Sequence, residues 1–78
     1  MKTGQKLKTL RNLKNISLNK ICFDLNISKG YLSELENDVR KNPSLVVLKK
    51  LSDFYNISID DLVNEKLEIT FKLMELPK

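Results

Sequence analysis

The chain is poor in the residue types that build catalytic and metal sites. It has no histidine, no tryptophan and one cysteine, Cys22, among 78 residues. With no imidazole and a single thiol, it offers neither a metal-ligand cluster nor a nucleophile–base pair, so we expect no cofactor, no metal and no enzymatic activity. One cysteine cannot form an intramolecular disulfide, which favours a reducing compartment.

Long apolar runs are also missing. No stretch approaches the ~20 apolar residues of a membrane span, and no charged-then-apolar leader opens the sequence. We therefore expect a cytoplasmic protein with no membrane partner. Its 78 residues suit one domain near the lower limit for a self-sufficient core. A compact helical bundle, helped by a partner subunit, makes the best use of so little apolar material.

Charge is unevenly distributed along the chain. The net charge is +4, but residues 1–50 hold eleven Lys/Arg against four Asp/Glu, and residues 51–78 hold three against six. This division suggests that the first part meets a polyanion while the acidic tail has another role. Lysine-rich surfaces also serve solubility alone, so charge by itself leaves nucleic-acid binding open.

Apolar spacing in the first half predicts three helices. The first runs from about Thr3 to Lys14, with its apolar face given by Leu7, Leu10 and Leu13 and its basic residues Lys6, Lys8 and Arg11 on other faces. Ser17 is a good N-cap for a second helix with Leu18, Ile21, Cys22 and Leu25 at helical spacing. The tripeptide Asn26-Ile27-Ser28 then predicts a left-handed C-cap, a core plug and a new N-cap before a third helix whose inward residues are Leu32 and Leu35.

Two further helices are predicted after the polar loop 38–42. Pro43 suits the first turn of a fourth helix capped by Asn42 or Ser44, with an apolar stripe formed by Leu45, Leu48, Leu51, Phe54 and Tyr55. Asn56-Ile57-Ser58 repeats the earlier junction. Ser58 with Asp61 resembles a capping box for a short fifth helix carrying Ile59, Leu62 and Val63.

The spacing of apolar residues changes near the end of the chain, from a helical period to alternation. Leu67, Ile69, Phe71 and Leu73 alternate with polar residues, which is typical of a strand. A lone strand of ~7 residues in a helical chain needs a partner for its backbone groups. We favour a strand that pairs with its copy in a second subunit over a frayed tail or a helical extension through Met74.

One stretch carries a family resemblance. Residues 27–37, Ile-Ser-Lys-Gly-Tyr-Leu-Ser-Glu-Leu-Glu-Asn, followed by Asn42-Pro43-Ser44-Leu45, resemble the XRE (Cro/CI-type) helix-turn-helix regulators, and Tyr-Leu-Ser with Asn-Pro-Ser is similar to the SinR-type repressors among them. The resemblance covers about residues 4–65. It implies an all-α, five-helix, lambda-repressor-like DNA-binding domain over residues 1–65, with the helix-turn-helix at 17–37 and a C-terminal extension at 66–78.

The resemblance also implies how DNA is bound. In this family the third helix reads bases, which assigns that role to Lys29, Gly30, Tyr31, Ser33 and Glu34. Phosphate contacts are expected from Ser17, Asn19, Ser28, Asn37, Arg40 and Lys41. Glu34 has an alternative interpretation, as an exposed glutamate paired with a nearby lysine. Glu36 is expected to be structural, bonding backbone or a helix-one residue such as Arg11.

This sequence departs from the family pattern at several positions. Leu18 stands where the family usually places a phosphate-binding Gln, and Asn19 is the candidate substitute. Cys22 replaces the usual small core residue. Asn26 and Asp38 occupy family glycine positions, and both residue types tolerate left-handed geometry.

The leading hypothesis is a bacterial or phage transcriptional regulator, acting as a repressor, that binds a dyad-symmetric operator in double-stranded DNA as a homodimer. Dimerisation is assigned to the fifth helix and the following segment, through Ile59, Leu62, Val63, Leu67, Ile69, Phe71 and Leu73. Two alternatives remain: a restriction–modification controller or antitoxin-type regulator, and a protein-interaction module that antagonises another regulator. A protein antagonist of this chain is a further possible partner.

Overall fold

Five helices make up the part of the chain that the structure describes. The computed structural model describes residues 1–68. They form α1 (Thr3–Leu13), α2 (Leu18–Leu25), α3 (Lys29–Glu36), α4 (Leu45–Tyr55) and α5 (Ile59–Val63). Within this range there is no strand. The predicted all-α, five-helix architecture is confirmed.

Three of the four helix junctions are built from the same tripeptide, Asn-Ile-Ser. In each, the asparagine adopts a left-handed backbone, with φ of 56° at Asn15, 55° at Asn26 and 57° at Asn56. The serine two residues later caps the next helix: the hydroxyls of Ser17, Ser28 and Ser58 accept the amides of Lys20, Tyr31 and Asp61 at 3.1, 3.0 and 3.1 Å. The sequence predicted this arrangement at 26–28 and 56–58 and also predicted the cap at Ser17. The structure adds the left-handed backbone at Asn15.

Two helices pack directly against α3. Both α1 and α2 lie against α3, and α5 contacts α1 and α4. The core consists of side chains that are almost fully removed from solvent, chiefly Leu7, Leu10, Ile21, Leu32, Leu35, Leu51 and Leu62. Because α3 is held on two sides, only its remaining surface is left for other contacts.

Gly4 sets how closely α1 approaches the end of α3. A Cβ atom at this position would overlap the Leu35 carbonyl oxygen and lie 2.7 Å from Asp38 Oδ1. The two helices therefore meet backbone against backbone at this point, which requires glycine.

A buried ion pair joins α1 to the C-terminal end of α3. Arg11 Nε lies 2.9 Å from Glu36 Oε2, and Arg11 Nη2 donates to Glu36 Oε1 at 3.1 Å. A third nitrogen, Nη1, donates to the Ile16 carbonyl at 2.9 Å. The structural role predicted for Glu36 is confirmed, and Arg11 is its partner.

The structure corrects the predicted faces of α1. Lys6, expected on a polar face, is fully buried, and its ammonium donates to the carbonyls of Asp61 (2.6 Å) and Asn64. Those carbonyls lie at the end of α5, where unpaired acceptors attract a cation. Leu13, expected inside, is 44% exposed because it occupies the last residue of the helix, beyond the packed turns.

The predicted N-caps Ser44 and Ser58 are confirmed, but the prediction at each of these two helix starts was wrong in one detail. Pro43 lies outside α4 rather than in its first turn, because Ser44 is the N-cap and its hydroxyl accepts the Val47 amide at 3.2 Å. At α5, Ser58 supplies its half of the predicted capping box. The second hydrogen bond of a capping box, from the Ser58 amide to the Asp61 side chain, is not among the hydrogen bonds of residues 1–68.

The predicted strand at Leu67–Leu73 falls mostly outside the described residues. Leu67 and Glu68 are described and lie in neither helix nor strand, and residues 69–73 lie beyond them. Within residues 1–68, no helix is long and apolar enough to cross a membrane. The same residues contain no His/Cys/Asp/Glu group suited to a metal ion.

Candidate nucleic-acid interface

The turn between α2 and α3 brings the two helices together in the predicted manner. Asn26 ends α2 in the left-handed conformation, Ile27 is 93% buried beneath the turn, and Ser28 caps α3. The inward residues Leu32 and Leu35 lie in the core. The opposite face of α3 consequently points away from the bundle.

That outer face contains all five residues predicted to contact bases. Lys29, Gly30 and Glu34 are exposed, and Tyr31 and Ser33 are half-buried at the edges. Nothing lies within 4 Å of a Cβ placed on Gly30. Packing within the subunit therefore gives no reason for glycine here, in contrast to Gly4. Whether these five side chains touch bases stays a prediction.

The loop from α3 to α4 is folded back onto the end of α3. Asp38 adopts a left-handed backbone with φ of 60°. This turn lets the amides of Val39 and Arg40 both donate to the Glu34 carbonyl, at 2.9 and 3.1 Å. Farther along the loop, the Tyr31 hydroxyl accepts the Ser44 amide at 2.9 Å. The loop and the outer face of α3 therefore form one connected surface.

Arg40 binds two residues of the outer face. Its Nη2 lies 3.1 Å from Glu34 Oε1, and its guanidinium carbon lies 4.5 Å from the centre of the Tyr31 ring. Glu34 is thus paired, as its alternative interpretation required, but with Arg40 rather than a lysine. From the sequence, Arg40 is expected to bind phosphate. Its contact with Glu34 could not be expected, because it depends on the path of the loop.

The predicted phosphate ligands lie in three places along the chain: the start of α2, the turn before α3, and the end of α3 with the loop after it. Ser17 and Ser28 use their hydroxyls as caps, and Asn19 and Lys41 are exposed. Asn37 donates through Nδ2 to the Ser33 carbonyl at 2.8 Å, and Lys8 Nζ reaches Asn37 Oδ1 at 3.5 Å. Lys8 was not singled out from the sequence, where it is one of many lysines. The phosphate assignments stay predictions.

Cys22 behaves as a core residue. It is 93% buried, and burial raises the pKa of its thiol. A protonated, enclosed thiol is a weak nucleophile.

The residues assigned to dimerisation have different environments. Val63 is 45% exposed, and Ile59 and Leu67 are half-buried. Leu62 is 0% exposed and packs inside the subunit, so it offers no surface to a second copy and its assignment is corrected. Ile69, Phe71 and Leu73 lie outside the described residues.

The fold and this outer face define a known class. A helix-turn-helix family model matches residues 7–62, and the chain belongs to the XRE-type helix-turn-helix family. The predicted family resemblance, including its SinR-like character, is confirmed.

Individual relatives agree with this class. Over 87% of its length, the chain is 35% identical to the HTH-type transcriptional regulator SinR of Bacillus licheniformis and 34% identical to that of Bacillus subtilis. It is 30% identical over 85% of its length to the immunity repressor protein of Bacillus phage phi105, of which it spans 45%. The chain spans 61% of the length of each SinR protein.

The fold is also similar to that of a solved structure. The chain is similar to one from the SinR protein/SinI protein complex, with a TM-score of 0.76 and 31% identity. The match covers 91% of this chain and 72% of the other.

Proposed function

We propose that this chain is a sequence-specific DNA-binding transcriptional regulator that acts as a repressor. The third helix, α3, enters the major groove and contacts base edges through its outer face. The observation that carries the proposal is a helix-turn-helix whose α3 buries Leu32 and Leu35 in the core. The opposite side of α3 keeps Lys29, Gly30 and Glu34 exposed in the described subunit. The names of the relatives, which describe transcriptional regulators and a repressor, support the same function.

Each residue of the outer face suits a contact in the groove. Lys29 donates to guanine O6/N7 or to phosphate, Ser33 bonds bases or backbone, and Glu34 accepts from cytosine N4. Gly30 lets the helix backbone approach the DNA closely, consistent with the open space around it. Arg40, Lys41 and the amides at the start of α2 are assigned to phosphates.

We further propose a homodimer on a dyad-symmetric operator. Two copies of α3 would enter successive major grooves ~34 Å apart. Of the residues assigned to dimerisation, Ile59, Val63 and Leu67 are accessible within residues 1–68. Val46, 66% exposed on α4, or its half-buried neighbour Val47 could add to the contact between subunits. Light scattering of the full chain measures this directly: a monomer at concentrations that saturate the operator would contradict the dyad.

A test of DNA reading begins with selection of a preferred site from random duplexes. Changing Lys29 and Glu34 together to Ala should remove discrimination between that site and random DNA, because each base contact contributes ~1–3 kcal/mol. The matched control is Lys49→Ala, which removes an exposed charge on α4 whose ammonium pairs with Asp53 at 3.1 Å. The control should keep discrimination. Binding of both forms should weaken with added salt.

Suppose instead that the double variant still distinguishes the selected site from random DNA at fixed salt while its circular dichroism spectrum is unchanged. That result would show that α3 does not make the base contacts. If the unmodified protein selects no site and does not bind random duplex even at low salt, the chain is instead a protein-interaction module. A restriction–modification controller or antitoxin-type regulator would pass the DNA test, and the neighbouring genes would separate it from a stand-alone repressor.

A further inference from the structure

Glu34 poses an electrostatic problem on a surface proposed to meet DNA. A carboxylate that faces DNA is repelled by the phosphates whatever the base sequence. Its contact with DNA is favourable only where a base donates a hydrogen bond to it. Its side chain is 49% exposed, so its charge is directed outward rather than buried in the subunit. A nearby cation is needed to offset that charge before any base is met.

Arg40 is placed to do this, and three contacts hold it there. Its backbone amide donates to the Glu34 carbonyl at 3.1 Å, and its Nη2 reaches Glu34 Oε1 at 3.1 Å. Its guanidinium also stacks on the Tyr31 ring at 4.5 Å. The ring is in turn anchored, because its hydroxyl accepts the Ser44 amide at 2.9 Å. An isolated surface ion pair loses side-chain entropy when it forms, whereas here the stacked ring and the loop already restrict the arginine.

The cluster leaves one acceptor on Glu34 available. Arg40 occupies Oε1, and among the described residues no hydrogen bond is made to Oε2. Only a planar guanidinium can stack on the ring face and bond the carboxylate edge in this manner. The carboxylate is therefore both neutralised and oriented, with Oε2 left for a base amino group.

We propose that Arg40 is a specificity-determining positioning residue, which acts through Glu34 rather than as a simple phosphate ligand. The inference rests on the proposed function and replaces one part of it, the assignment of Arg40 to phosphate. It predicts that Arg40 and Glu34 control the same base pair, where the amino group of cytosine donates to Oε2. Lys41, its neighbour in the loop, provides only charge.

The test compares preferred sites selected from random duplexes at one salt concentration. Four variants are needed: Glu34→Gln, Arg40→Ala, Arg40→Lys and, as the matched control, Lys41→Ala. Arg40→Lys is the decisive one, because lysine keeps the positive charge and its reach to phosphate but lacks the planar fork.

The expected result is that both Arg40 variants lose preference at the position altered by Glu34→Gln, by about five- to hundred-fold, and keep it elsewhere. Lys41→Ala should weaken binding to all sequences equally. If Arg40→Lys keeps every preference and Arg40→Ala only weakens binding uniformly, as Lys41→Ala does, Arg40 is a phosphate ligand and the inference is overturned. Failure of the unmodified protein to select any site overturns the proposed function as well, so the two failures are distinguishable.

Discussion

The two glycines provide a matched test of how the bundle is packed, because each is the second residue of its helix. Gly4 lies in α1 and Gly30 in α3. A Cβ at Gly4 would overlap the Leu35 carbonyl oxygen and approach Asp38 Oδ1 to 2.7 Å, whereas at Gly30 it would meet nothing within 4 Å. The same change, Gly to Ala, should therefore have opposite effects at the two positions.

The magnitudes follow from two opposing terms. Alanine favours a helix over glycine by up to ~1 kcal/mol, and overpacking against a structure that cannot yield costs ~1–3 kcal/mol. The obstacle at Gly4 is backbone, so α1 itself must move away from α3. We expect Gly4→Ala to lower the free energy of unfolding by about 1–2 kcal/mol, and Gly30→Ala to raise it by up to ~1 kcal/mol.

Thermal unfolding followed by circular dichroism resolves such changes, since ~1 kcal/mol shifts Tm by about 4–8 °C in a domain of this size. Gly30→Ala should also weaken binding to the selected site, although it stabilises the fold. A Gly4→Ala protein as stable as the unmodified one would refute the close approach of α1 to α3.

Three further predictions follow from the buried polar groups. Glu36→Gln should lower the free energy of unfolding by about 2–4 kcal/mol in urea titrations, because Arg11 keeps its charge in the core without a counterion; a loss below ~0.5 kcal/mol would contradict this. Tyr55→Phe should leave stability unchanged or raise it by ~1 kcal/mol, because the buried Tyr55 hydroxyl has no partner among residues 1–68; a clear loss would reveal one. Desolvation lowers the pKa of Lys6 from its ordinary value. One lysine signal in carbon-13 NMR should therefore titrate at a lower pH than the others, and that signal should be missing from the spectrum of Lys6→Met. Between its folded and unfolded pKa values the unfolded chain binds more protons, so Lys6 should make stability rise with pH there, and a common titration of all lysines would contradict its burial.

Local chemistry explains what could be predicted from the sequence. The serine caps and the left-handed Asn26 depend on residues within three positions of each other, so their structure follows from short-range hydrogen bonding. The Arg11–Glu36 pair could also be predicted, because a glutamate at an inward position of α3 needs a nearby cation.

Features that depend on distant parts of the chain could not be predicted. Lys6 has the spacing of a surface residue, and its burial depends on where α5 ends more than fifty positions later. The family resemblance indicated a left-handed backbone at Asp38. The contact of Arg40 with Glu34 depends in addition on the path of the loop after that turn, which the resemblance did not specify. Leu62 was assigned to a dimer surface because an apolar residue in a short helix has the same pattern whether it faces its own core or a second subunit.

The repeated Asn-Ile-Ser junctions also bear on how quickly the subunit forms. Each junction spans only three or four residues between consecutive helices, so the starts of α2, α3 and α5 are specified by neighbours in the chain. Helical domains with such short connections have low contact order and fold in about microseconds to milliseconds. Synthesis of this chain takes far longer, at roughly 5–20 residues per second. Folded subunits should therefore appear as fast as the chain is translated. Any delay before the protein acts would come from a step after folding.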